Sequence, residues 1–292
     1  MSLSHRPIDH LVLPVVDLAT ARLRLSALGF AVAPEARHPF GTENACVYFA
    51  DSTYLEPLAI ADQQIYDQNI PKTEFVRRDR AYRFRNGDDG LSAIVFKSED
   101  AEADHAAFAE AGIGVGDLFS FSRPYKLADG TEATAGFKLA FAADLRAPDL
   151  LFFTCERMQA LAPDETLMGH QNGVTGISGV LLGEDNPMEF EPLLQTLTRA
   201  GEADIHPDGF TTDALTAKLS VFTFDHLYRQ YGIARSGAGR GIEPAAIVFE
   251  VADLENLADI LKANEIASRQ TGDGIAVPPA PGQGVTFIFR EY

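Results

Sequence analysis

IDHLVLPV, residues 8–15, reads as a short buried strand, with Asp17 after it as a helix cap, LATARLRLSAL (18–28) as a helix and Gly29 as its terminator. An aspartate just before a helical run accepts hydrogen bonds from the first-turn N–H groups, and a glycine just after it takes the left-handed turn that other residues avoid. The same order of signals returns three times. LSAIVFK (91–97) leads through Ser98 into EDAEADHAAFAEA (99–111) and Gly112. GISGVLLGE (176–184) leads through Asn186 and Pro187 into MEFEPLLQTLTRA (188–200) and Gly201, and AAIVFEV (245–251) leads through Asp253 into LENLADILKANEI (254–266).

Each copy is followed by further strand-like runs. FAVAP, ACVYFA and TYLEPLAI follow the first helix, GVGDLFSF, GFKLAFA and DLLFFTC the second, and ASRQT, GIAVPP and VTFIFREY the fourth. Past Gly201 only LTAKLSVFTF reads as a clear strand, so the third copy is shorter or more divergent. The repeating unit is β-α-β-β-β, and the chain is α+β with four βαβββ modules. A single module has one apolar sheet face and cannot bury it alone, so the modules must pair around shared curved, mixed sheets. The expected division is residues 1–160 and 170–292, joined near 157–175 where Pro163 and Gly169 stand. No GxGxxG opens a helix after a strand and no GxxxxGK[ST] occurs, so no nucleotide cofactor is expected; GAGRG at 237–241 reads as a connector.

With 24 basic and 42 acidic residues, the formal charge is −18, which repels polyphosphate backbones and anionic lipid. Nucleic acid and membranes are excluded as expected partners, and a small molecule is left, with a homodimer as an open possibility. No apolar run approaches the ~18 residues of a membrane span, and MSLSHRPIDHLVL lacks a secretory pattern, so a cytoplasmic address is expected. Cys46 and Cys155 lie in apolar alternating runs without a nearby partner cysteine and read as reduced core residues.

Seven histidines are the first candidates for chemistry, because neutral imidazole is the commonest metal ligand. His10 stands on the opening strand. Glu56 stands in TYLEPLAI, where alternation puts Tyr54, Glu56 and Leu58 on one face, and a buried carboxylate there must be paired or bound to a cation. His10 and Glu56 therefore read either as ligand or catalytic residues or as a structural hydrogen-bonded pair. His38 and Asn44 flank a loop at Gly41 and Thr42 that feeds the Glu56 strand, while His170 and Asn172 precede the third module. Arg123 offers a bidentate clamp for a substrate carboxylate. Phe40, Tyr48, Tyr54 and Phe152 are the expected apolar wall, and His5, His105, His206 and His226 read as exposed or structural.

The βαβββ repeat, the opening PIDHLVLPVVDL and the TYLEPLAI strand resemble the vicinal oxygen chelate superfamily of glyoxalases, extradiol dioxygenases and bleomycin-resistance proteins. RHPFGTENACVYFADSTYLEPLAI (37–60), HQNG (170–173) and the stretch from Ser122 and Arg123 to Asp129 and Gly130 are similar to the Glyoxalase-like domain family. The resemblance implies two vicinal-oxygen-chelate-type domains. It further implies a divalent metal held in the concave sheet by His10 and Glu56; Glu56 is the candidate catalytic residue, and His38, Asn44, Arg123, His170 and Asn172 read either as substrate contacts or as turn residues (Asn44, Asn172) and surface charge (His38, Arg123). It implies a lyase, isomerase or dioxygenase, or a metal-free small-molecule binder. This sequence departs from the pattern where Ala93, Gly179 and Ala246 occupy the positions matching His10, and Phe153 or its neighbour that matching Glu56 in the second module. A two-histidine, one-carboxylate set arises only where His38 or His170 reaches the same cup.

Overall fold

The computed structural model describes residues 5–126, 132–159, 165–236 and 240–291; Asp129, Gly130, Pro163 and residues 237–239 of the GAGRG connector lie outside them. Module one comprises β1 (Ile8–Pro14), α1 (Leu18–Ala27), β2 (Ala36–Arg37), β3 (Thr42–Asn44), β4 (Val47–Tyr48) and β5 (Tyr54–Ile60). Two inserted helices, α2 (Gln63–Asn69) and α3 (Glu74–Asn86), precede module two, which comprises β6 (Ala93–Ser98), α4 (Ala101–Glu110), β7 (Phe119–Lys126), β8 (Glu132–Ala142) and β9 (Leu151–Arg157). Module three comprises β10 (Val174–Gly183), α5 (Glu191–Thr198), β11 (Asp204–His206), β12 (Gly209–Asp213) and β13 (Lys218–Phe222). One inserted helix, α6 (Phe224–Tyr231), leads to module four: β14 (Glu243–Val251), α7 (Leu254–Ala263), β15 (Arg269–Gln270), β16 (Ile275–Val277) and β17 (Thr286–Glu291).

The modules pair as consecutive neighbours into two mixed sheets. One runs β2-β3-β5-β1-β6-β9-β8-β7, with β4 also on β5, and the other β11-β12-β13-β10-β14-β17-β16-β15. Each pair is sewn together by the antiparallel contact of its two opening strands, β1 with β6 and β10 with β14, flanked by parallel contacts to β5, β9, β13 and β17. Among the described residues no helix is long and apolar enough to cross a membrane.

Several local expectations need correction. The cap of α4 is Asp100, not Ser98: the Asp100 carboxylate accepts from Ala103 N, while the Ser98 hydroxyl accepts from Asp100 N and donates to Asp104. The chain offset that takes Asp17 to Asp100 also takes His10 to Ala93. α5 ends at Arg199, which itself adopts the left-handed turn assigned to Gly201. FAVAP is not a strand. The third module is complete, because the hairpin β11–β12 supplies the strands that seemed absent. All three β11 residues are exposed, so no alternation marks them in the sequence.

The concave face of the first sheet carries Val12, Ala93, Val95, Leu151, Phe153 and Cys155, and the inserted helices fill one end of this cup with Tyr66, Phe75 and Val76. Arg83 anchors α3 there, donating to the carbonyls of Leu58 (2.8 Å) and Val15 (3.1 Å) and to Asp79, which also accepts from the Tyr66 hydroxyl. The opposite face of β1 sends Leu11 and Leu13 into a core shared with the second sheet. Phe152 belongs to that core and its neighbour Phe153 to the cup, so the expected wall residue was one position out. In the second sheet, Leu227 of α6 packs on Leu181, Ala246, Val248 and Ile288. A Cβ at Gly183 would sit 2.4 Å from the Phe224 ring, so a larger residue there would displace that ring of the plug.

Candidate active site

The open end of the first cup is a cavity of about 1320 Å³. His10 and Glu56 line it from adjacent strands, 4% and 6% exposed, with His10 Nε2 3.4 Å from Glu56 Oε2. A β-bulge between Ile8 and His10 shifts the register of β1 against β6 and turns Asp9 and His10, consecutive in sequence, to one side. Asp9 Oδ2 therefore meets His10 Nδ1 at 2.7 Å, and Arg157 ion-pairs with the same carboxylate at 2.7 Å. With Asp9 accepting from Nδ1, His10 turns Nε2 toward Glu56.

His38 reaches this cup and His170 does not. A turn at Gly41 brings His38 back against Thr42, with Nδ1 2.8 Å from Thr42 Oγ1 and Nε2 3.7 Å from Glu56 Oε1. Phe40 stacks on the His38 ring at 4.9 Å. Asn44 Nδ2 donates to Glu56 Oε1 at 2.6 Å and lies 3.4 Å from His38 Nε2, so the amide spans histidine and carboxylate. His170 is held by module-one backbone: its Nδ1 accepts from Ala31 N and its Nε2–H donates to the Tyr48 carbonyl, both at 3.0 Å. Asn172 is buried, donating to Leu28 O and accepting from Val174 N. Both residues tie the linker to the first module, and neither is among the residues that line the cavity. None of His5, His105, His206 and His226 lines it either.

Burial raises the free energy of the Glu56 anion, but hydrogen bonding and charge from His10, with His38 and Asn44, hold its pKa down at about 2. Burial also opposes a charged His10, yet Asp9 and Glu56 together raise its pKa above the ordinary value. For His38 burial dominates and holds the pKa at about 4, so its ring is neutral near pH 7. Burial pushes the Cys46 thiol up to about 12 and raises Cys155 well above its usual value, which agrees with two free, unreactive cysteines.

As the side chains stand, no group of three His, Cys, Asp or Glu donors among the described residues is set around one cation position. The donor chemistry nevertheless suits a borderline divalent metal, with two imidazoles and one carboxylate. Donors bonded at ~2.1 Å to one cation lie about 3.0–3.4 Å apart, close to the His10–Glu56 and His38–Glu56 separations. Seating an ion would replace the hydrogen bonds that Glu56 now makes with His10 and Asn44. Phe121 and Phe137 on the β7–β8 hairpin and Tyr48 and Tyr54 on the β4–β5 hairpin form the walls, with Tyr54 stacked on His10 at 4.4 Å. Asp9 carried no usable signal, since strict alternation sends it away from His10. Arg157 did carry one, because alternation from Phe153 through Cys155 points it inward.

In the second sheet, the chain offsets place Gly179, Ser220, Ala246 and Ile288 where the first has His10, Glu56 and their module-two counterparts Ala93 and Phe153. Among the described residues no ligating set is formed there, and α6 occupies the cup.

A family model described as Glyoxalase-like domain matches residues 8–198. No curated protein matches the chain. Among solved structures, a hypothetical protein from Staphylococcus aureus superposes with a TM-score of 0.68 at 11% identity, over 98% of this chain and 100% of that one. The Mn(II)-bound glyoxalase from Novosphingobium aromaticivorans gives 0.56 at 11% identity, over 99% and 83%. The 2,2',3-trihydroxybiphenyl 1,2-dioxygenase from Sphingomonas wittichii strain RW1 gives 0.52 at 12% identity, over 99% and 91%. At these identities the superpositions speak for the fold alone. The fold is that of the vicinal oxygen chelate superfamily, and the chain belongs to the Glyoxalase-like domain family.

Proposed function

We propose that the chain is built as two glyoxalase-like domains, 1–160 and 170–292, and that the first is a metal-dependent enzyme of the lyase, isomerase or dioxygenase class. Its substrate would be a small molecule with two adjacent oxygens. The observation that carries this reading is the convergence of the buried side chains His10, His38 and Glu56 on one cavity, while the equivalent cup of the second sheet is plugged. His10 Nε2, His38 Nε2 and a Glu56 oxygen would hold a cation such as Mn²⁺ or Fe²⁺. When bound, the ion supplies Lewis-acid polarisation of the two substrate oxygens.

The chain's own residues do the rest. Asp9 fixes the His10 tautomer, and Arg157 holds the Asp9 carboxylate in place. The Glu56 oxygen left off the cation would be the carboxylate that exchanges a proton with substrate. The aromatic walls lower the local dielectric beside the charged groups, which strengthens their interactions there. Calorimetric titration of chelator-treated protein with Mn²⁺, or anaerobically with Fe²⁺, tests the reading. Binding tighter than ~10 μM, lost in His10→Ala, supports it. No heat at millimolar metal favours the alternative, a metal-free binder, which the direct His10–Glu56 contact also suits.

A further inference from the structure

The cavity that holds His10, His38 and Glu56 also contains a cation with no counterion among the described residues. Arg123 stands on β7, two residues beyond Phe121, so both side chains share the inward face of the strand. Its cross-strand neighbour is Ala135, which leaves space beside the guanidinium, and the Phe137 ring lies under it at 5.9 Å. The other cavity-lining arginines are paired, Arg157 with Asp9 at 2.7 Å and Arg37 with Glu43 at 3.5 Å. Among the described residues no carboxylate ion-pairs with Arg123, and its Nε is buried without a hydrogen-bond partner. That is unexpected in a chain with 42 acidic and 24 basic residues, where a carboxylate partner is easy to supply. A guanidinium whose Nε has no partner, facing a large cavity, matches a carboxylate brought by a ligand.

The walls narrow the class further. Phe121 stacks on Phe137 at 5.0 Å and meets the His38 ring edge-on at 5.9 Å, while Tyr48 and Tyr54 face the same space. Two residues along a strand span about 7 Å, so the guanidinium and the His38 end of the cavity are separated by roughly the length of one aromatic ring with its substituents. We propose that this cavity binds an aryl carboxylate, its carboxylate on Arg123, its ring against Phe121 and Phe137, and its far end toward His38 and Glu56. This inference rests on reading the cavity as the substrate site, but it requires no metal, and the two ideas fail separately.

The test is calorimetry on the full chain, first stripped of metal and then with Mn²⁺ added, using phenylacetate, its neutral isostere phenylacetamide and the non-aromatic cyclohexylacetate. Phenylacetate should bind about tenfold or more tighter than either comparator in the stripped protein. Arg123→Gln should erase the preference over phenylacetamide while leaving phenylacetamide affinity within about twofold, which also reports that the variant is folded. Arg123→Lys, which keeps the charge but loses the fork, should retain only part of it. The proposal is overturned if phenylacetate does not bind at millimolar concentration, or binds no better than the amide. It is also overturned if cyclohexylacetate binds equally well, or if the preference survives in Arg123→Gln. A failed Mn²⁺ titration alongside an intact aryl-carboxylate preference would reject the metal reading and leave this one standing.

Discussion

Asp9 shows how much chemistry can depend on one irregular residue. Without the bulge it would point away from His10; with it, the carboxylate bonds His10 Nδ1 and Arg157 together. Replacing it by Asn removes the charge but keeps the shape, so Asp9→Asn should weaken Mn²⁺ binding by roughly 10- to 100-fold while the far-ultraviolet circular dichroism is unchanged. Calorimetry on both proteins checks this. His38 makes a second prediction, for the metal-free protein. Its pKa is held at about 4 against an ordinary 6.5, so the unfolded chain takes up a proton below pH 6.5 that the folded one refuses. The stability associated with neutral His38 is full above pH 6.5 and is lost as pH falls toward 4, by about 3 kcal/mol in total. Glu56 adds a separate loss at lower pH, between its ordinary 4.5 and about 2. Urea midpoints measured from pH 7 to 4 should fall in the wild type and flatten in His38→Gln. Of these residues, His10, Glu56, His38 and Asn44 were legible because each sits on or beside a strand whose alternation can be read. Asp9 was not, because a bulge leaves no mark in a hydropathy pattern.

At the scale of elements, the loop carrying His38 depends on Gly41, which has φ +91° and whose Cβ would lie 2.4 Å from Tyr66 N. Gly87 has φ +88° with nothing within 4 Å of its Cβ. Gly41→Ala should therefore cost more stability than Gly87→Ala, about 2–3 kcal/mol against about 1, and it alone should displace His38 and reduce metal affinity. Thermal melts and Mn²⁺ titration of both variants decide this. Leu227→Ala should cost ~2–5 kcal/mol by emptying the plug of the second cup, without altering ligand binding in the first. The four opening strands and their helices were readable because caps and apolar runs recur in the same order. The helices α2, α3 and α6 were not recognised: they interrupt the repeat, and each borrows its buried face from a sheet formed elsewhere in the chain.

At the scale of the whole molecule, the two sheets are not independent bodies. Phe30 of module one lies 5.5 Å from Phe249 and 6.2 Å from Phe289, both on strands of module four, and Leu11 and Leu13 enter the same core as Val180 and Phe287. Arg6 extends the tie, donating from its side chain to Leu197 O and Asp104 and from its backbone to Thr198 O. A calorimetric scan should therefore show one unfolding transition, with the calorimetric and van't Hoff enthalpies in agreement. The repeat implied that modules must pair but did not reveal this shared core, since the outward faces of two sheets look alike in sequence whether they meet solvent, a helix or each other. The division of labour between the cups follows from the same architecture: one is lined by His10, His38, Glu56 and Arg123, the other closed by α6. The most direct measurement of that claim is anomalous scattering from crystals grown with Mn²⁺. The account predicts one manganese peak in the first cup, ~2.0–2.3 Å from His10 Nε2, His38 Nε2 and a Glu56 oxygen, and none in the second. A first cup without a peak, with Glu56 still bonded to His10 and Asn44 at saturating Mn²⁺, would contradict it.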